Sequence, residues 1–253
     1  CFGSSGNIVF QQKFIAFQTL NIYTEIVINQ FIKNVKAATV FVVILCLCAC
    51  TYAKEDIKRE RPGKLFSPSK IPLLEDAGRD TWQKPEEILN ALNIKKGQII
   101  ADIGAGSGYL TVKLSERAGV TGTIYAADIQ QEMLDYINKR LVEKGIKNVS
   151  LVLGTMDDPK LPPNSLDIAI LLSTYHEITQ PIDFMKKVKR ALKPQGKLAI
   201  LEFSDESPIG PPIQVRLPED MVIDELKQAG FALSQRHTFI LPYQYFLIFS
   251  PYP

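Results

Sequence analysis

The chain has 253 residues, 46% hydrophobic and 22% charged, which is material for one large domain or a domain with a tail. Its net charge of +2 comes from the first 53 residues, where Lys13, Lys33 and Lys36 stand against Glu25, so the rest shares 26 basic and 26 acidic side chains of the 29 and 27 in all. A neutral body lacks the electrostatic footprint of a nucleic-acid binder, and no nucleic acid is expected as a partner. All four cysteines (Cys1, Cys46, Cys48 and Cys50) precede that body, which holds only His176 and His237 besides. Neither a disulfide framework nor a transition-metal site is expected in it.

In chain order, residues 1–31 start on cysteine, and the first methionine is Met133. They read as translated upstream sequence or a fragment, without function of their own. Residues 32–50 read as a signal or anchor segment. Their core, residues 37–49, is an apolar run of 13, short for a membrane span but right for a signal peptide, with Lys33 and Lys36 leading in. The run closes on Leu47-Cys48-Ala49-Cys50, which resembles a bacterial lipobox. That resemblance implies a lipidated mature terminus at Cys50 and membrane association. A buried helix or an uncleaved anchor stays open as the alternative. Lys54, Lys58, Arg59 and Arg61 follow closely and oppose export, so the side of the membrane is undecided. Residues 51–80 are charged and proline-bearing with no sustained period, and read as a linker to a domain over 81–253.

Within that domain, Pro85 and the acids after it start a helix whose buried face is Ile88, Leu89 and Leu92. Trp82, just before it, either closes over a site or belongs to the core. An apolar strand over about 98–103 then breaks into Gly104, Gly106 and Gly108, and a helix over 109–118 follows with Leu110, Leu114 and Ala118 on one face. A second strand, 122–128, ends on Asp128, 20 residues beyond Gly108. Strand, glycine turn, helix and an acid at the end of strand two are the parts of a nucleoside site. The glycines let the backbone lie against the ligand, and the carboxylate accepts from ribose hydroxyls. A helix over about 130–144, a strand over 149–153 and a strand over 166–172 come next. A helix over 181–192, a strand over 197–203, a proline-rich loop and a helix over 218–229 complete the alternation. The last two apolar runs, 231–240 and 243–250, are separated only by Leu241-Pro242. So short a link requires an antiparallel hairpin, because a parallel return needs a dozen or more residues.

The spacing Asp102-x-Gly104-x-Gly106-x-Gly108 resembles motif I of the class I S-adenosylmethionine-dependent methyltransferases. Leu192-Lys193-Pro194-x-Gly196 resembles that family's turn before strand five. The resemblance covers about residues 82–250. It implies an α/β fold, a doubly wound Rossmann-like seven-stranded sheet of order 3-2-1-4-5-7-6 with strand seven antiparallel. It also implies S-adenosylmethionine as cofactor, with the glycine turn (Asp102, Gly104, Ala105, Gly106 and Gly108) on the methionine part and Asp128 on the ribose. Ile129 and Met133 would wall the adenine, ordinary packing being the alternative for Met133. Family members often carry an acid for the adenine amino group where this sequence has Thr155, so Asp157 is the candidate in its place.

Strand four runs into Ser173-Thr174-Tyr175-His176-Glu177, at the carboxyl edge of the sheet where ligands bind. Ser173 is counted with the cofactor residues. Tyr175, His176 and Glu177 are the candidates for taking a proton from an acceptor, and the competing reading has His176 and Glu177 capping a turn. The function implied is methyl transfer to an unidentified small-molecule acceptor. The resemblance includes the quinone-biosynthesis type, and a membrane-tethered form suits a lipid-soluble acceptor. Two other classes remain: a nucleoside-binding module without catalysis, and an NAD-dependent oxidoreductase, which the glycine spacing and the terminal hairpin oppose.

Overall fold

A computed structural model describes residues 24, 25, 27, 29–35, 58–62, 64–237 and 242–252. The chain divides into two units, Cys1–Asp56 and Ile57–Pro253. Of the first, residues 24, 25, 27 and 29–35 are described, all helical and exposed. The signal-like core and Cys50 lie outside the described residues.

The second unit is built on one seven-stranded sheet of order β3-β2-β1-β4-β5-β7-β6. The strands are β1 (Ile99–Ile103), β2 (Thr123–Asp128), β3 (Val149–Leu153), β4 (Leu166–Leu172), β5 (Leu192–Phe203), β6 (Phe231–His237) and β7 (Gln244–Pro251). The five strands up to β5 pair in parallel, and β7 runs antiparallel to both β5 and β6. This is the order expected from the family resemblance, closing hairpin included.

The helices are α1 (Ile71–Leu74), α2 (Arg79–Gln83), α3 (Pro85–Ala91), α4 (Tyr109–Ala118), α5 (Gln131–Lys144), α6 (Pro181–Ala191) and α7 (Glu219–Gln228). Strand alternation divides the sheet into two buried faces. Ile100, Ile124, Ile168 and Ile170 pack with Ile88 and Leu89 of α3, with Leu92 at its C-terminal end, and with Leu110 and Leu114 of α4. Ala126 on that same face meets Leu134, Ile137 and Leu141 of α5. The opposite face, with Ala101, Ile103, Leu198 and Ile200, is covered by Phe184, Met185 and Val188 of α6 and by Val222 and Leu226 of α7.

Two expectations need correction. β5 begins at Leu192, so the Lys193-Pro194-Gln195-Gly196 turn is an irregularity inside the strand rather than a link before it. Its register on β4 jumps from Leu166↔Leu192 to Ile168↔Lys197. A Cβ on Gly196 would stand 3.0 Å from the Leu166 carbonyl oxygen, which explains a glycine there.

The second correction concerns the stretch over 51–80. Its described part, from residue 58, is an ordered strap over the domain. Arg59 donates to Asp205 and to the carbonyls of Ile213 and Arg216. Arg61 donates to Glu225 at 2.6 Å and to the carbonyls of Tyr175 and Ile178. The strap has no period to read because it follows the domain surface and is held by side chains instead of a ladder.

Candidate functional site

The site forms where β1, β2, β4 and β5 end. β1 pairs with β2 through Asp102↔Ala126 and Ile103↔Ala127, so the chain leaving β1 turns directly beside the end of β2. The N–H groups of Gly104 and Ala105 both donate to the Ala127 carbonyl, at 2.8 and 3.1 Å, and staple the turn in place. Gly104, Gly106 and Gly108 all have left-handed φ (71°, 53° and 76°), which a side chain adopts only at a cost. A Cβ on Gly104 would stand 2.3 Å from the Thr174 methyl, and one on Gly108 would stand 3.0 Å from Ile137. Packing within the protein therefore accounts for two of the three glycines. At Gly106 the nearest atom, Leu74 Cδ1 from the strap, is 3.3 Å away.

Asp128 is nearly buried and accepts from the Gly106 N–H through Oδ2 at 2.9 Å and from the Gln130 N–H through Oδ1 at 3.0 Å. Burial raises its pKa although those N–H groups pull it down. Asp102, on the α4 face of β1, accepts from Thr111 Oγ1 at 2.6 Å. Burial pushes it up to about 6 against that hydrogen bond, and the Asp128 charge adds to the rise. Turn and carboxylates thus come together as expected. Ile129 is half-buried after Asp128, and Met133, on the first turn of α5, is fully buried.

Asp157 does not join them. Its carboxylate is exposed, and hydrogen bonds from Thr155 and Lys187 hold it at about 2. Sequence spacing could not foresee this, because Lys187 is supplied by α6 from 30 positions away.

Beyond β4, Ser173 adopts a left-handed φ of 55°, and its Oγ accepts from Gln244 Nε2 at 2.7 Å. Gln244 in turn accepts from Gln83 Nε2 at 2.6 Å. The three candidates that follow separate. Tyr175 is fully buried in the core, its hydroxyl donates to Glu225 at 2.9 Å, and Arg61 lies 4.9 Å over its ring. This places its hydroxyl on α7, away from the glycine turn, and burial raises its pKa further.

His176 is also buried, with Nδ1 2.9 Å from Glu202 Oε2 and its backbone N–H donating to Glu202 Oε1 at 3.3 Å. Burial alone would lower the imidazole pKa, but the Glu202 and Glu177 charges outweigh it and the net shift is upward. Glu177 is half-buried. Burial pushes its carboxyl up to about 7 against the pull of His176, and Glu202 and Asp128 add to the rise. A carboxyl raised to about 7 beside an imidazole whose pKa is also raised, at a sheet's carboxyl edge, is suited to proton transfer. Close by, Trp82 packs on Phe203 and Tyr243 with ring centroids 5.9 and 6.1 Å apart. Trp82 is half-buried and sits outside the main clusters.

Glu202 is the residue that the sequence reading missed. Its signal was visible as the one charge among the last six residues of β5, Leu198 to Phe203, yet it is only 1% exposed. A carboxylate that deep is retained only with a partner.

The family model for a methyltransferase domain matches residues 94–235. The ubiquinone/menaquinone biosynthesis C-methyltransferase UbiE of Azotobacter vinelandii is 32% identical over 115 residues, which are 45% of this chain and 46% of that protein. The chain thus spans about half the length of the curated relatives it matches. A SAM-dependent methyltransferase from Aquifex aeolicus, solved by crystallography, superposes with a TM-score of 0.70 at 31% identity, over 73% of this chain and 98% of that one. The [4+2]-cyclase SpnF shares the fold at a TM-score of 0.57 and 15% identity, over 67% of this chain and 80% of that one.

Proposed function

Because this chain belongs to the methyltransferase domain family, we propose that it transfers a methyl group from S-adenosylmethionine to a small-molecule acceptor. The residues present suit that cofactor. Asp102 and Asp128 flank the glycine turn, Tyr109 rather than a lysine directly follows Gly108, and Asp128 keeps acceptor capacity beyond its backbone donors. Asp102 and the turn would hold the methionyl end, Asp128 the ribose, and Ile129 with Met133 the adenine side. When bound, the cofactor supplies an activated methyl on a cationic sulfur.

What remains for the protein is alignment, exclusion of water and, for an acidic acceptor, removal of a proton. Alignment alone is worth on the order of 7–11 kcal/mol. The observation that carries the catalytic reading is the Glu202–His176 pair at 2.9 Å, beside Glu177 and beyond the end of β4. With Nδ1–H donated to Glu202, the other ring nitrogen is free to accept. The tilted aromatic cluster of Trp82, Phe203 and Tyr243 offers apolar ring surface that suits an aromatic or quinone-like acceptor. The named activity of the Azotobacter relative favours a carbon acceptor of that kind. Turnover of radiolabelled methyl donor on a panel of phenols and quinols tests the proposal, and cofactor binding without turnover on any acceptor would favour the non-catalytic reading.

A tether through Cys50 is part of the same proposal, supported by the lipobox-like sequence and by the advantage of membrane attachment for an apolar acceptor. No helix among the described residues is long and apolar enough to cross a membrane. Mass spectrometry of the bacterially expressed chain should find a lipid-modified Cys50 with no residue before it. An intact, unmodified N-terminus in the soluble fraction would refute the tether.

A further inference from the structure

A cavity of about 290 Å³ lies at the amino-terminal ends of β1, β4 and β5, at the opposite edge of the sheet from the glycine turn. The irregularity in β5 shapes it. Between its pairings to Leu166 and Ile168 the strand carries extra residues, and Lys193 and Lys197, at either end of that excess, both line the cavity. Lys95, in the link from α3 to β1, is the third lysine in the wall, and Asp167 of β4 is the one acid. Both oxygens of that carboxylate are engaged. One accepts from the Ile99 N–H at 2.8 Å and the other from Lys193 Nζ at 2.7 Å. Gln98 Oε1 accepts from the Lys95 N–H at 2.8 Å, which leaves the Gln98 amide NH₂ as a donor. Among the described residues no carboxylate pairs with Lys95 or Lys197. Three chain segments thus bring cationic and donating groups to one concavity whose only acid is already taken. Like charges gathered there repel, and a bound anion removes that cost while gaining charge-assisted hydrogen bonds. At roughly 30 Å³ for each water-sized group, the volume suits a compact molecule of about ten such groups.

We propose that this cavity binds a compact, multiply charged oxyanion, a diphosphate or a polycarboxylate, held by Lys95 and Lys197 with the Gln98 amide as a neutral donor. Lys193 keeps its bond to Asp167 and completes the wall. The site uses none of the residues assigned to the cofactor or the acceptor, so it stands or falls apart from the methyltransferase reading. Its place at the far edge of the sheet makes the anion a ligand in its own right, separate from the reactants of methyl transfer.

Calorimetric titration of the full chain with pyrophosphate and with citrate, at fixed ionic strength in chloride, tests this. At least one of them should bind saturably to a single site, and the tighter of the two says which oxyanion chemistry the cavity takes. Lys95→Gln and Lys197→Gln should each weaken that binding at least about tenfold, as expected for lost charge-assisted hydrogen bonds, and Lys197→Arg should keep most of it. Lys186→Gln removes an α6 lysine that pairs with Asp183 outside the cavity, and should leave the affinity within about twofold because distant exposed charge is screened. A melting curve for each variant separates loss of the site from loss of the fold. Absence of saturable binding to either anion overturns the proposal. So does binding that the Lys95 and Lys197 variants leave unchanged, or that Lys186→Gln weakens equally, which would mark diffuse surface charge.

Discussion

Glu177 gives the most direct test of the site's electrostatics, because it can be neutralised without changing its shape. Its ordinary pKa of 4.5 is pushed up to about 7 in the fold, chiefly by burial. A carboxyl whose folded pKa exceeds its unfolded one contributes stability that is fully present below about 4.5 and is lost as pH rises through 7. At about 1.4 kcal/mol for each pH unit of that difference, ionising Glu177 costs the fold about 3 kcal/mol at alkaline pH. Glutamine carries no charge and keeps an oxygen for the Phe66 N–H that this carboxylate accepts. Glu177→Gln should therefore match wild type near pH 5 and exceed it near pH 8 by up to about 3 kcal/mol. At about 2–4 °C per kcal/mol for a domain of this size, that is several degrees in Tm. His176 also loses its contribution over this pH rise, so the variant's own curve should still fall, but less steeply. Thermal unfolding from pH 5 to 8 reads the effect, and parallel curves for the two proteins would refute it.

Asp128→Ala should weaken S-adenosylhomocysteine binding at least about tenfold by calorimetry while the fold persists, through loss of charge-assisted hydrogen bonds to the ribose. Unchanged affinity would remove Asp128 from the ribose site. His176→Ala should lower turnover by about 10²–10⁴ with cofactor affinity nearly unchanged, and a folded variant with wild-type turnover would take His176 out of the mechanism. In wild type, activity should rise through an apparent pKa above the ordinary imidazole value of 6.5, and Glu202→Gln should move that limb to lower pH. A limb that stays in place would show that Glu202 does not tune the imidazole. Gly104→Ala sets a Cβ against Thr174 at a φ of +71°, so it should cost about 1–3 kcal/mol and visibly lower Tm. A melting curve like that of wild type would mean that the turn yields.

The sheet order was legible because each feature that determines it is local in sequence. The glycine turn after β1, the acid ending β2, the alternation of apolar runs and helices and the closeness of the last two apolar runs all lie within short windows. Asp102 and Asp128 were legible for the same reason, since a parallel β1–β2 pair necessarily brings their ends together. The partners of those residues were not. His176 meets Glu202 from 26 positions away, Ser173 meets Gln244 from 71, and Arg61 meets Glu225 from 164. Tyr175 stood in one run with His176 and Glu177, but a short 3₁₀ turn over Tyr175–Glu177 sends consecutive side chains in different directions. Spacing cannot say which of three neighbours faces the ligand.

The strap makes the same point in energetic terms. Its composition read as a linker because it buries few apolar side chains and forms only short helices. Its attachment comes from arginines, each satisfying several carbonyls or a carboxylate at once. Arg59 and Arg61 fasten it to the loop after β5 and to α7, while Arg79 reaches the glycine turn with a donor still unpaired. The elements that would hold the acceptor and those that would hold the cofactor are thus joined by a segment outside the sheet.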